Sequence, residues 1–396
     1  MENGVVMTID EKARVDALIR KCFPDVEDFE HSASYSLTFL SNKKSFWSKI
    51  ARVFLHWKDD KLSAKYPRSV FIKIPHISDN VKGTDKSENY SDGSDAEALL
   101  KLTQYEVLWY ERYGNDSIPN FPFPKFYAAE SVTEPGTGII AMEDLSERVK
   151  AMDLIPGFSY EQVERLMDAL AGFHYHFISK KDQSWATEFN RVAEIEPEFQ
   201  DLQYETALKF ESICPEKFAG RIRAMEEHFS VEAGFNAHYS YKELDVPPVL
   251  VHFDLNPSNI LWSSKSANPN ELVAIIDFQL LHTGNFAEDI VRVLILSLSR
   301  HDRCMMTERF LKRYHDTLTR LSNGKPPFTL DKVYEAYDRI FLYACNFALF
   351  GLSIYHDMCE DLEKDEVRRV KFQNELIDRA YGVVIDAERL LFSQST

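Results

Sequence analysis

One histidine, two carboxylates and one amide form the pattern in this sequence that is best suited to chemistry. A short apolar run ends in His252-x-Asp254, Asn259 comes five residues after that aspartate, and Asp277 follows a second apolar run. Phosphoryl transfer uses such a set: one carboxylate orients the attacking hydroxyl and accepts its proton, and an amide and a second carboxylate hold Mg²⁺ on the phosphates. Since Mg²⁺ prefers oxygen ligands, the pattern predicts Asp254 as the catalytic base and Asn259 and Asp277 as metal ligands.

Two other interpretations of the same residues stay open at this point. The pattern is also compatible with a polar turn that caps two core strands. A metal-dependent hydrolase with His252, Asp254 and Asp277 as ligands is a second alternative, although the further histidines that such sites gather are missing. In the phosphoryl-transfer interpretation we expect His252 to brace the loop by hydrogen bonding rather than to react.

The elements that must position these residues divide the chain into two parts. Alternating apolar and β-branched residues predict strands over 49–57 and 69–74, and a shorter strand over 138–142. A helix is expected over 98–113, and the nearly all-polar stretch 78–97 predicts a mobile surface loop.

Beyond residue 145 helical periodicity dominates, interrupted by the two apolar runs that carry the chemistry. The sequence therefore predicts an α+β protein with a small strand-rich N-terminal lobe, residues 1–145, and a larger, mainly helical C-terminal lobe, residues 146–396.

Composition narrows the classes of function. The chain has 396 residues, 44% hydrophobic and 28% charged, which excludes large-scale disorder, collagen and coiled coil. The formal net charge is −17, and such a field repels phosphate backbones and anionic bilayers, so we expect neither a nucleic-acid partner nor a membrane partner.

Cysteine usage and the apolar segments indicate a cytoplasmic protein. The five cysteines are scattered without CxxC spacing, as is typical of reduced thiols. The N-terminus lacks the apolar segment of a signal peptide. The apolar stretch 340–355 is shorter than the roughly 20 residues a bilayer requires, and we interpret it as a buried core helix.

These motifs resemble a known family. The run from His252 to Leu261 resembles the Brenner-type loop of aminoglycoside phosphotransferases and choline kinases, and AIIDFQLLHTGNFAEDIVRVL, which includes Asp277, resembles the CHK kinase-like or ecdysteroid-kinase-like branch of that superfamily. The resemblance extends from about residue 53 to the C-terminal helices and is strongest over 248–294. It implies a bilobed protein-kinase-like fold and the use of ATP and Mg²⁺.

The resemblance also implies further site residues. Lys73 matches the strand lysine that contacts the α- and β-phosphates, and Glu106 matches the helix glutamate that pairs with it, with Glu111 as the competing candidate. The segment from Glu143 to Leu145 resembles the interlobe hinge, whose backbone groups would bind adenine. The residue 1–145 lobe would then bind nucleotide, and the 146–396 lobe would carry catalysis and substrate binding.

Two positions depart from the family. Most relatives have glycine where this chain has Phe253, and the loop from Leu40 to Lys49, which would cover the phosphates, contains no glycine to allow close backbone approach. These departures favour an alternative: a pseudokinase that binds nucleotide or a partner without turnover.

The sequence leads to one functional hypothesis. It predicts an ATP- and Mg-dependent small-molecule kinase that transfers the γ-phosphoryl group to a hydroxyl of a small metabolite. The resemblance suggests a steroid or a choline-like alcohol as acceptor. The sequence does not predict an oligomeric state.

Overall fold

A computed structural model describes residues 8–40, 48–76, 94–134, 137–190 and 197–394. The chain forms two compact units. The first comprises Met1–Ser117, Phe123–Val149 and Ile276–Leu280, and the second comprises the remaining segments, Ile118–Pro122, Lys150–Ile275 and Leu281–Thr396. The first unit thus extends to residue 149 and also includes the segment 276–280. The assignment of residues 1–145 and 146–396 to two functional lobes stays a prediction.

An antiparallel sheet of five strands forms the first unit, in the order β1-β2-β3-β5-β4. Its strands are β1 (Ala33–Leu40), β2 (Ser48–Trp57), β3 (Ser69–Pro75), β4 (Phe126–Ala129) and β5 (Ile140–Glu143). Val70, Ile72 and Ile74 are all buried on one face of β3, so the alternation of the strand turns Lys73 to the other face. In the register of the sheet, Lys73 lies between Ile50 and Ile140.

Within its described residues, this unit also has four helices: α1 (Ile9–Cys22), α2 (Phe29–Ser32), α3 (Asp60–Lys65) and α4 (Ser94–Tyr113). A capping box formed by Thr8 and Glu11 begins α1, which contributes Val15, Leu18 and Ile19 to the core beneath the sheet. The predicted loop over 78–97 lies outside the described residues as far as 93. Its last four residues were wrongly predicted, because 94–97 form the first turn of α4.

Helices dominate the second unit. They are α5 (Tyr160–Ser179), α6 (Trp185–Glu188), α7 (Pro197–Ile213), α8 (Pro215–Phe218), α9 (Val231–His238), α10 (Ser240–Glu243), α11 (Ala287–Ser297), α12 (Arg300–Leu321), α13 (Leu330–Asp357), α14 (Cys359–Leu362) and α15 (Glu366–Gln394). Every residue of α11 is buried, and this helix packs against α13. Among the described helices, α13 included, none has the length and apolar composition to cross a membrane.

Short strands in the second unit carry the predicted motif. β7 (Val249–Val251) pairs with β10 (His282–Gly284), and β6 (Val149–Ala151), β8 (Ile260–Ser263) and β9 (Leu272–Ile275) form a three-stranded sheet. β7 is buried throughout and leads into His252, and a 3₁₀ turn over Pro257–Asn259 leads into β8. The predicted α+β class, with a strand-rich N-terminal region and a helical C-terminal region, is confirmed.

Candidate active site

Lys73 lies between two carboxylates in the first unit. Its Nζ is 2.7 Å from Oε2 of Glu106 and 2.8 Å from Oδ1 of Asp277. Glu106 is 3% exposed, whereas Glu111, on the same helix, is exposed to solvent. The structure thus brings Glu106, and not its competitor, to the strand lysine.

Charge holds this cluster together. Burial would lower the pKa of Lys73, but the carboxylates of Asp277 and Glu106 outweigh burial and raise it above its ordinary value. Burial raises the pKa of Glu106, and the neighbouring Lys73 acts against that rise. The lysine is therefore a fixed positive charge at neutral pH, held by two ion pairs.

The backbone at Asp277 has an uncommon conformation. Its φ is 72°, in the left-handed region that few non-glycine residues adopt. The next residue, Phe278, is fully buried, with its ring 4.6 Å from the ring of Trp109 and 5.7 Å from that of Tyr110. This aromatic packing against α4 anchors the turn that presents Asp277 to Lys73.

In the second unit, Asp254 is held within the loop formed by residues 252–259. Asn259 donates through Nδ2 to the backbone oxygen and to Oδ2 of Asp254, both at 2.9 Å. Asn256 donates to Oδ1 of Asp254 at 3.1 Å, and the backbone N–H of Asp254 donates to Nδ1 of His252 at 3.2 Å. The loop therefore fixes the orientation of the Asp254 carboxylate, and His252 contacts the loop backbone.

Asp289 connects the 252–259 loop to α11. This fully buried carboxylate accepts the backbone N–H of His252 at 2.9 Å and that of Phe253 at 2.8 Å. Its Oδ2 also lies 3.2 Å from Nε2 of His174, whose Nδ1 lies 2.8 Å from the hydroxyl of Tyr314. One buried side chain thus satisfies two successive backbone donors that β7 cannot pair.

Phe253 has a φ of 66°, which explains physically why glycine suits this position. Its strained backbone is held by Arg292, whose Nε donates to the Phe253 carbonyl oxygen at 2.6 Å. The Arg292 guanidinium also lies 4.5 Å from the Phe253 ring and 3.4 Å from the Phe347 ring. Burial lowers the pKa of Arg292 to about 10, so it is still a cation at neutral pH.

The proposed hinge residues lie where β5 ends. The backbone N–H of Glu143 donates to the carbonyl oxygen of Lys125 at 2.8 Å, and its side chain forms an ion pair with Arg148. Leu145 is buried, and its carbonyl oxygen accepts the N–H of Arg148 at 3.0 Å. Their assignment to adenine binding stays a prediction.

The residues that support the 252–259 loop were not predicted from the sequence. They are Asp289, His174 and Arg292. A usable signal was present, since both Asp289 and Arg292 interrupt an otherwise apolar helix. The glycine-free stretch lies outside the described residues from 41 to 47, and Ser48 begins β2.

Comparison with known proteins identifies the family. The profile of a family designated DUF1679 and described as "Uncharacterized oxidoreductase dhs-27" matches residues 25–394. Uncharacterized kinase-like protein D1044.1 of Caenorhabditis elegans is 30% identical over 377 residues, which is 94% of this chain and 98% of that protein. Uncharacterized oxidoreductase dhs-27 of the same organism is 25% identical over 350 residues, which is 84% of this chain and 41% of that protein.

Among solved structures, aminoglycoside 2′-phosphotransferase IIIa in complex with GDP matches with a TM-score of 0.47 and 15% identity, covering 97% of this chain and 100% of the other. The profile match and the relative that is 30% identical along nearly its whole length together establish the assignment. The chain belongs to the DUF1679 family.

Proposed function

We propose that the protein is an ATP- and Mg-dependent kinase that phosphorylates a hydroxyl of a small molecule. The observation that carries the proposal is the contact of Lys73 with both Glu106 and Asp277. Protein kinases require a strand lysine paired with a helix glutamate, and an aspartate that holds the metal. The relative D1044.1 is named a kinase-like protein, which supports the same class of function.

Asp254 would be the catalytic base in this reaction. The acceptor oxygen forms a bond to the γ-phosphorus, the bond to the β,γ-bridging oxygen breaks, ADP leaves, and the hydroxyl proton passes to a carboxylate oxygen of Asp254. The bonds from Asn256 and Asn259 orient that carboxylate, and His252 braces the loop. Lys73 would bind the α- and β-phosphates while Glu106 keeps it in place.

The donor atoms available suit Mg²⁺. Asn259 uses its amide nitrogen on Asp254, so its amide oxygen is the atom left to bind a cation, and Asp277 uses Oδ1 on Lys73 and retains Oδ2. Both are oxygen ligands of the kind that Mg²⁺ prefers. When bound, Mg²⁺ would neutralise charge on the phosphates.

The remaining roles are also proposals. Backbone groups of Glu143 and Leu145 would bind adenine, in an N-terminal lobe (residues 1–145) devoted to nucleotide. The C-terminal lobe, residues 146–396, would bind a small hydroxylated metabolite, with a steroid or a choline-like alcohol as candidate acceptors. We propose that the protein acts in the cytoplasm, without nucleic acid or membrane as partner.

Turnover with ATP and a panel of hydroxyl compounds tests the proposal. Asp254→Asn preserves size, so we expect ATP binding to persist while transfer falls by about 10²–10⁴-fold. Asp245→Asn is the matched control, because Asp245 is exposed and its φ of 51° suits asparagine equally well. Equal turnover in Asp254→Asn and wild type would contradict the assignment of the base.

Nucleotide binding and phosphoryl transfer, measured together, separate the kinase from a pseudokinase, which would bind nucleotide without turnover. Mg·ATP at about a hundred times its dissociation constant should stabilise the wild type by about 2.7 kcal/mol, and Asp277→Ala should remove the Mg-dependent part of this stabilisation. Thermal melting in the presence of ATP, with and without Mg²⁺, measures this stabilisation. Stabilisation without transfer to any acceptor would favour a pseudokinase.

A further inference from the structure

Two histidines and a glutamate converge inside the second unit. His238 ends α9, His282 begins β10 and Glu288 lies in the first turn of α11. All three are buried, with exposed fractions of 5%, 5% and 3%. Within the described residues, they form the one group of three metal-binding side chains whose ligand atoms all lie within 4.8 Å of one another.

The three ligand atoms lie close to one another. Oε2 of Glu288 is 2.6 Å from Nδ1 of His238 and 3.0 Å from Nε2 of His282. A tetrahedral site with metal–ligand bonds of about 2.0–2.2 Å separates its ligand atoms by roughly 3.3 Å. Oε2 of Glu288 therefore needs to move away from each histidine nitrogen by less than about 1 Å to admit an ion.

The surroundings orient the carboxylate as a ligand. The other oxygen of Glu288, Oε1, accepts the backbone N–H of Asn285 at 2.8 Å. A Cβ at Gly284 would lie 2.4 Å from that oxygen and 3.1 Å from the His282 ring, so only glycine leaves room for this arrangement. Such outer contacts are typical of metal sites, where they fix the orientation of the ligands.

A small cavity lies beside Glu288, one of the three residues. Glu288, Phe253, Arg292 and Tyr343 contribute to the lining of a cavity of about 20 Å³, which is enough for one water. Nη2 of Arg292, a residue that lines this cavity, is buried without a hydrogen-bond partner among the described residues. A metal-bound water or hydroxide would accept a hydrogen bond from this guanidinium, and the buried carboxylates of Glu288 and Asp289 offset its positive charge.

We propose that His238, His282 and Glu288 bind a divalent transition-metal ion, with zinc the best match. Two imidazole nitrogens and one carboxylate oxygen suit Zn²⁺, whereas Mg²⁺ prefers oxygen ligands alone. The site uses none of the residues assigned to phosphoryl transfer, so it would exist whether or not the protein is a kinase.

The metal would stabilise the 252–259 loop through Phe253 and Asp289. The Phe253 ring lies 5.8 Å from the His238 ring and 5.0 Å from the His282 ring, and Asp289, next to Glu288, holds the loop backbone. An ion that fixes both histidines and the first turn of α11 would therefore fix Phe253, and with it the position of Asp254.

Cobalt titration of the full-length protein tests the site. After treatment with a chelator, the wild type in excess Mg²⁺ should take up one Co²⁺ per chain with the intense visible absorption of a tetrahedral site, and Zn²⁺ should displace it. His282→Gln and Glu288→Gln should each weaken Co²⁺ binding by at least about tenfold. His301→Gln, an exposed histidine on α12, is the matched control and should bind Co²⁺ as the wild type does.

Two results would overturn the proposal. One is a wild type that takes up no Co²⁺ and whose melting temperature does not rise with Zn²⁺, a measurement that depends on no variant. The other is a folded His282→Gln protein that binds Co²⁺ as tightly as the His301→Gln control. If either site variant fails to fold, the Co²⁺ absorption and the Zn²⁺-dependent melting of the wild type are sufficient to accept or reject the metal site.

Discussion

Replacing Asp289 by asparagine removes the charge that holds the 252–259 loop and changes little else. The wild-type carboxylate accepts the N–H groups of His252 and Phe253 through different oxygens, at 2.9 and 2.8 Å. In Asp289→Asn one of these oxygens becomes an amide NH₂, which faces a backbone donor instead of accepting from it. Because the two side chains have nearly the same volume, no cavity forms.

The magnitude follows from these contacts. A hydrogen bond to a charged acceptor contributes about 1.5–3 kcal/mol, and a buried donor left without a partner costs about 1–3 kcal/mol. Asp289 is fully buried, so solvent cannot compensate. We expect Asp289→Asn to lower the free energy of unfolding by about 2–4 kcal/mol and to lower turnover as well, since the freed segment leads directly to Asp254.

Urea denaturation of the full-length protein measures the change, with Asp245→Asn as the control for an exposed aspartate. The urea midpoint of the transition that includes the second unit should fall in Asp289→Asn. In the control, the free energy of unfolding should stay within about 0.5 kcal/mol of the wild-type value. A midpoint equal to that of wild type, together with unchanged transfer activity, would refute the assignment of Asp289 as the support of the loop.

Three further predictions concern stability. Burial would raise the pKa of Asp168, but the hydrogen bonds that it accepts from Arg313 hold that pKa below its usual value. The ionised Asp168 therefore stabilises the folded state above about pH 4, and this contribution is lost as the pH falls through the native pKa. Asp168→Asn should therefore cost about 1–3 kcal/mol at pH 7 and progressively less below pH 4, as measured by denaturation at several pH values. Gly172→Ala places a Cβ 1.6 Å from a backbone oxygen and should destabilise by about 3 kcal/mol or more, whereas Gly351→Ala meets nothing within 4 Å and should stabilise by about 0.5–1 kcal/mol in melting experiments. Because φ is positive at Phe253, the Phe253→Gly protein should be about 1 kcal/mol more stable than the Phe253→Ala protein. This is the reverse of the usual order of glycine and alanine in a helix.

Each of these predictions has a contradictory outcome. A deficit in Asp168→Asn that stays constant from pH 7 to pH 2 would show that ionisation does not matter there. Equal stabilities of the two glycine-to-alanine proteins would contradict the close approach at Gly172. Equal stabilities of the Phe253→Ala and Phe253→Gly proteins would show that the left-handed backbone at this position carries no strain.

Local pattern was sufficient to predict β3, the strand that carries Lys73, and its neighbour β2. The predicted strands 49–57 and 69–74 correspond to β2 (Ser48–Trp57) and β3 (Ser69–Pro75), because alternation with period two depends only on which face is buried. The same alternation puts Lys73 on the face opposite Ile72 and Ile74, where the side chain meets Glu106.

Contacts between distant segments were not predictable in this way. Asp289 supports backbone groups 36 and 37 residues away, and Glu288 meets a histidine 50 residues away. Nothing in the local spacing of these residues indicates such pairing, which exists only once α11 packs behind β7 and β10. The positive φ of Phe253 is likewise imposed by its surroundings and not by residue type, since phenylalanine disfavours that conformation.

Transfer of labelled γ-phosphate from ATP into a metabolite extract tests the proposed phosphotransferase activity most directly. With wild-type protein and Mg²⁺, the label should enter at least one small hydroxylated compound. With Asp254→Asn, incorporation should fall by about 10²–10⁴-fold. An extract in which no compound is labelled although the protein binds Mg·ATP, or one in which Asp254→Asn labels the same product at the wild-type rate, would contradict the account.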